Sequence, residues 1–187
     1  MKTRTVLVVV IVGLALSAGG CTRGIKEAAG LFTGAKGSLT VLEPISADSQ
    51  ARPLGAYQRF ELAEFADDMN GKAPKDLFRL LPGAFDVALA GKKIPSAASG
   101  KTLLIRGKVL HYEDSSAVGM ALGPLEFAVA RAEFVDKDSG RVLGAANCVG
   151  VTSESVNVGV AKKAEGLAKA IVKWIDSRYP EDQRVKD

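Results

Sequence analysis

An α+β fold built on a mixed sheet is what this 187-residue sequence predicts, and three observations carry the expectation. Two segments repeat apolar residues at steps of three and four, the period of an amphipathic helix. Five others are rich in β-branched, aromatic and other apolar residues and are bounded by Gly, Pro, Asp or Ser, the residues that end strands. Two of these strands, 125–135 and 141–152, are separated only by Asp136-Lys137-Asp138-Ser139-Gly140, where Asp and Ser turn the chain and Gly accepts positive φ. The expected order is β-β-α-β-β-β-α. A crossover helix precedes an antiparallel meander, a second helix closes the chain, and both helices bury their apolar stripes on one face of a sheet of about five strands.

Each element has its own residues. Leu39 to Leu42 reads as the first strand and Tyr57 to Phe65 as the second, with Pro44 and Pro53 bracketing the polar loop between them. From Pro74 to Ala90 the stripe is Leu77, Leu80, Leu81, Ala84, Phe85, Ala88 and Leu89. Pro82-Gly83 falls inside it. Proline removes a backbone donor and clashes with the preceding turn, so a kink or two short helices is expected there, with Gly91 as the stop. Thr102 to Tyr112 is the third strand, and the two strands of the hairpin follow. The closing helix runs from about Val160 to Arg178, with Val160, Ala164, Leu167, Ala168, Ile171 and Ile175 on one face and Lys162, Lys169 and Lys173 on another. It stops before Pro180, and 180–187 reads as a flexible tail. No internal repeat is visible.

The N-terminal residues have a different character. Lys2 and Arg4 precede an uncharged apolar run, and Ser17-Ala18-Gly19-Gly20 leads to Cys21. A basic start, a short apolar stretch and a small-residue patch are the layout of a secretory signal. Val6 to Gly20 is fifteen residues, short of the roughly 20 that a spanning helix needs. The patch Ala18-Gly19-Gly20-Cys21 resembles the lipobox of bacterial lipoproteins, with Ala18 where Leu is commonest. The resemblance implies cleavage after residue 20 and acylation of Cys21, palmitate-type chains included. Two or more chains hold stably, since burial gains about 0.8 kcal/mol per methylene. Thr22 stands where an Asp would mark inner-membrane retention, so the outer membrane, facing the periplasm, is the expected location. The expected organisation is a signal peptide over 1–20, a lipidated tether over 21–37 and a single domain over 38–179.

Composition excludes some functions. Lys2 and Arg4 supply two of the 25 basic residues, against 21 acidic ones, so the chain after residue 20 is near +2 and has no basic excess suited to nucleic acid. With Cys21 acylated, Cys148 is the one remaining thiol; in Ala145-Ala146-Asn147-Cys148-Val149-Gly150 it reads as packing, or as a reactive or interchain thiol.

A further resemblance covers roughly 39–178. Leu54-Gly55-Ala56-Tyr57, the strand Leu104 to Val109, Leu125 to Asp136 with Ser139-Gly140-Arg141-Val142-Leu143, and the closing lysine-rich helix are similar to a family of small uncharacterised bacterial envelope lipoproteins. These motifs are structural, so the resemblance implies a fold and an address and no activity.

Gly100-Lys101-Thr102 imitates the end of a phosphate loop, but Pro95 stands where the first glycine belongs and a strand follows where a helix must. Asp136, Asp138 and Gly140 imitate a calcium loop, but Arg141 takes the sixth position and Asn147 the twelfth; a hairpin turn explains them. No metal or cofactor is expected. His111 is the only histidine, so a hydrolytic mechanism would have to use it, with Asp114, Ser115 and Ser116 nearby and no Gly-x-Ser-x-Gly elbow. The segment Ala117 to Leu125 holds nine uncharged residues between two strands. It is either a covered connection or a contact surface, with Met120 and Leu122 as anchors. The leading expectation is a non-enzymatic, membrane-anchored binding or assembly module of the cell envelope that meets an envelope protein or a second copy of itself. The alternative is a small periplasmic hydrolase using His111.

Overall fold

The computed structural model describes residues 35–43, 53–113, 126–152 and 159–186. The strands are β1 (Lys36–Glu43), β2 (Arg59–Leu62), β3 (Ala66–Asp67), β4 (Thr102–Tyr112), β5 (Glu126–Asp136) and β6 (Val142–Thr152). The helices are α1 (Lys75–Gly91) and α2 (Val160–Asp176). The sheet runs β1-β6-β5-β4-β2, with β3 also paired to β4. β1, β6, β5 and β4 pair antiparallel, while β2 and β3 lie parallel to β4. The mixture has a simple cause. A hairpin returns β5 onto β6 directly, but β2 reaches β4 only through α1, and a crossover helix brings the next strand back in the same direction.

The fold is therefore the expected α+β arrangement, with both helices on one face. α1 buries Leu77, Leu81, Phe85 and Leu89, spaced at four-residue steps, into a core shared with Leu103, Ile105 and Val109 of β4 and with Ala128, Ala130, Ala132 and Phe134 of β5. α2 lies across β1 and β6 unusually closely, because glycines line the contact. A Cβ on Gly150 would sit 2.5 Å from the Leu167 nitrogen, and one on Gly166 would sit 2.7 Å from the Gly150 Cα. Trp174 of α2 stacks face to face on Phe134 of β5, with ring centroids 3.7 Å apart.

Four expectations are corrected. The strand expected over 57–65 is two short strands, β2 and β3, which pair one after the other along β4. Between them the buried ring of Phe65 presses on Gly107, so the edge cannot run straight past that point. The sheet consequently has six strands where about five were expected. Pro82 does not divide α1, which runs unbroken as one 17-residue helix. Pro82 and Gly83 are both exposed, on the side where water serves a carbonyl that loses its helical donor. The left-handed turn that ends α1 falls on Lys93, at φ 56°, and not on Gly91, the last helical residue; Ile94 N donates to Leu89 O across it at 3.2 Å. The tail expected to be flexible is tied back: Glu181–Gln183 forms a 3-10 turn, and the Arg184 guanidinium donates to Asp176 Oδ1 and Lys92 O, each at 2.8 Å.

Candidate functional site

Strand alternation sets the site. The even-numbered residues of β5 from Glu126 to Phe134 are buried towards the helices, so Phe127, Val129, Arg131 and Glu133 point to the helix-free face. Cross-strand register then assembles a patch from three strands. Phe127 pairs with Val151 and Val129 with Val149, and across the irregularity in β4 His111 pairs with Val129. Phe127, Val129, Val149 and Val151 are half-buried and His111 is exposed. The His111 imidazole stacks on the Phe127 ring with centroids 5.0 Å apart. One half of the helix-free face is thus apolar. The other half is charged and paired, with Arg106 Nε 3.0 Å from Glu133 Oε2 and Lys108 Nζ 2.8 Å from Asp68 Oδ2.

The helix side of the same sheet end holds a buried ion pair that the sequence does not announce. Lys163 is 1% exposed; its ammonium lies 2.8 Å from Glu126 Oε2, 4.2 Å above the Tyr112 ring, and donates to the Glu113 carbonyl. Thr152 Oγ1 and Glu126 Oε1 are buried there with no hydrogen-bond partner among the described residues. This cluster fastens the first turn of α2 to the ends of β4, β5 and β6. It therefore rigidifies the strands that carry the apolar patch.

At the opposite end of the sheet, Asp136 closes the β5–β6 turn. Its Oδ1 accepts from Ser139 N at 2.9 Å and Ser139 Oγ at 3.0 Å. Its Oδ2 accepts from the Tyr57 hydroxyl at 2.7 Å and lies 3.1 Å from Lys101 Nζ. The Ser139 backbone amide, then the Tyr57 hydroxyl, hold this carboxyl well below the usual carboxylate range. Burial, reinforced by Asp136, pushes the Tyr57 hydroxyl up. Gly140, at φ 70°, completes a hairpin turn, as its sequence suggested, and the segment after Gly100-Lys101 is a strand.

The expected site residues divide. Cys21, Met120 and Leu122 lie outside the described residues, as do Asp114, Ser115 and Ser116. Their connection, 114–125, joins β4 to β5, the two strands that bring His111 and Phe127 together. His111 itself makes no hydrogen bond or ion pair among the described residues, and Asp114, Ser115 and Ser116 lie outside them. No group of three or more metal-ligating side chains occurs among the described residues, and no described helix is long and apolar enough to cross a membrane. Cys148 is fully buried, and burial pushes its thiol up to about 12, which leaves it protonated and unreactive.

No family model matches the sequence, and no curated protein matches it. Solved structures do. The fold is shared with PelC. PelC from Paraburkholderia phytofirmans, solved as a dodecamer, is 12% identical, covers 78% of this chain and 99% of its own, and superposes with a TM-score of 0.50. Two structures from families of unknown function also match. A DUF330 family protein from Xanthomonas campestris is 15% identical over 74% of this chain and 89% of its own, with a TM-score of 0.40. A DUF4136 family protein from Bacteroides thetaiotaomicron is 12% identical over 76% of this chain and 97% of its own, with a TM-score of 0.43.

Proposed function

We propose that this chain is a lipid-anchored, non-enzymatic assembly module of the bacterial envelope that associates with copies of itself through the face of its sheet that no described helix covers. The observation that carries the reading is the cross-strand patch of Phe127, Val129, Val149 and Val151. It is an apolar surface on the sheet with no described helix over it, the kind of patch that marks an interface. The apolar segment 117–125, with Met120 and Leu122 as further anchors, falls in sequence between β4 and β5, the strands that carry His111, Phe127 and Val129. PelC, which shares the fold, is a dodecamer, and that favours a second copy as the partner over an unrelated protein. The address rests on the lipobox-like patch at Cys21 and on Thr22 after it: cleavage after residue 20, acylation of Cys21, and display in the periplasm from the outer membrane.

Two measurements test it. The double variant Val129→Glu, Val149→Lys places an opposite-charge pair across the strands, which a sheet tolerates, while putting charge into the contact. Sedimentation should show an oligomer for the native chain and a monomer for the variant, with little change in melting temperature. A monomeric native chain, an unchanged oligomer or a collapsed melting temperature would each overturn the interface. For the anchor, metabolic labelling with a fatty acid should mark the native chain and not Cys21→Ala. Equal label on both would sink it.

A further inference from the structure

A second surface has a different chemistry. Between α1 and α2, where β1 begins, a groove of about 750 Å³ is floored by the apolar side chains of Val87, Ala88 and Val172. Val87 is 73% exposed on it. Three lysines of the helices stand on its rim, Lys92, Lys169 and Lys173; Lys36 also lines it, but it pairs with Val151 and alternates with Gly37, which faces α2, so its side chain leaves towards the other face. Lys92 is matched by Asp176 at 3.0 Å and Lys169 by Glu165 at 2.7 Å, and Asp176 is shared with Arg184. Lys173 forms no ion pair among the described residues, so the rim carries surplus positive charge. The groove also lies where the chain arrives from its N-terminal part, since Ala35 is one of its walls.

We infer that this groove and its lysine rim are a membrane-facing surface that seats on anionic phospholipid headgroups, with Val87 entering the interface. Apolar side chains ringed by lysines bind such surfaces by burial together with attraction to anionic lipid. The position of the anchor fits. Cys21 precedes Ala35 by fourteen residues, and a chain of that length spans at most about 50 Å even when fully extended. A lipid on Cys21 therefore keeps this face within reach of the bilayer. Charge argues against the two other occupants. Residues 22–34 carry Arg23 and Lys26 against Glu27, the same sign as the rim, and a second copy would set lysine rim against lysine rim.

The inference takes its geometry from the proposed lipid anchor, but its test does not need the lipid. The full chain carrying Cys21→Ser and Val87→Cys is labelled at position 87 with an environment-sensitive fluorophore. Buried Cys148 does not compete for the label. The chain is mixed with vesicles of phosphatidylcholine alone or with phosphatidylglycerol, and a label at Lys108→Cys on the helix-free face serves as reference. Phosphatidylglycerol should blue-shift the label at 87 and shield it from acrylamide, and leave the label at 108 quenchable. Lys173→Gln should weaken that response by about fivefold, the contribution of one lysine near an anionic surface. Equal quenching at 87 and 108 would overturn the inference. So would shielding already present without vesicles, which marks residues 22–34 as occupant, or shielding that grows with protein concentration alone, which marks a second copy. If the vesicle response holds while fatty-acid labelling of the native chain fails, the anchor reading falls and the surface stands.

Discussion

Asp136 and Lys163 show how single residues hold the ends of this sheet. The Asp136 carboxylate has four donors around it, from Tyr57, Lys101 and Ser139, and its proton affinity in the folded chain is lowered accordingly. A depressed folded pKa stabilises above the unfolded value of about 4 and loses that stabilisation as pH falls below it. Asp136→Asn should therefore cost about 1–3 kcal/mol at neutral pH and flatten the loss of stability below about pH 4. Urea unfolding at pH 7 and pH 3 checks both, and a mutant penalty equal at the two pH values would contradict the assigned role. Lys163 makes the complementary case. Its buried partner Glu126 has no second ion pair among the described residues, so Lys163→Ala leaves a stranded charge and should cost about 3–5 kcal/mol. Lys163→Met with Glu126→Leu should recover most of that, because an apolar pair of similar size removes both desolvation penalties. Thermal melting of the three chains decides it; a double variant as unstable as the single one would show that the pair is not the cause.

At the scale of elements, α2 is positioned by what its neighbours lack. Gly150 and Gly166 let the helix backbone rest on β6 without an intervening side chain, and an added methyl meets backbone atoms that cannot rotate away. Gly150→Ala should lower stability by about 1–3 kcal/mol through overpacking. Gly83, in the exposed middle of α1, has nothing within 4 Å of its would-be Cβ, so Gly83→Ala should raise stability by about 0.5–1 kcal/mol through helix propensity alone. Chemical denaturation midpoints should move in opposite directions for the two glycines. Movement in the same direction would mean that α2 does not seat on the glycines of the sheet.

At the scale of the molecule, a one-sided sheet divides the described surface into two regions for which different partners are proposed. Helices cover one face; their outer groove is lysine-rimmed and lies beside the point where the chain enters the domain. No described helix covers the other face, which is apolar towards the β4–β5 connection and charged further along. Screening separates their contributions. Raised salt should weaken the lysine-rimmed contact with anionic vesicles, since exposed charges are screened over about 8–10 Å, and should leave association through the valine patch unchanged or stronger. Sedimentation and vesicle binding measured across one salt series test this, and parallel salt dependence would remove the division.

Much of this architecture was legible in the residues themselves. The stripe Leu77, Leu81, Phe85, Leu89 and the stripe of the last helix fixed two helices by period alone. The Asp-Lys-Asp-Ser-Gly turn fixed the β5–β6 hairpin to within a residue, because turn chemistry and hydrophobic alternation are local properties. The lipobox-like patch is equally local, and with it the expectation of an anchor. The rest depends on neighbours distant in sequence. Helical period puts Lys162 with Lys169 and Lys173 on the polar face, but only the meeting of α2 with Glu126 and Tyr112 gives Lys163 its buried partners. Tyr57 and Asp136 lie 79 residues apart and become partners only because β2 and β5 flank β4. The break between β2 and β3 follows from Phe65 reaching Gly107, and the valine patch exists because both helices chose the other face. Period and turn chemistry are written along the chain, whereas burial, pairing and the open surfaces arise from how its segments are brought together.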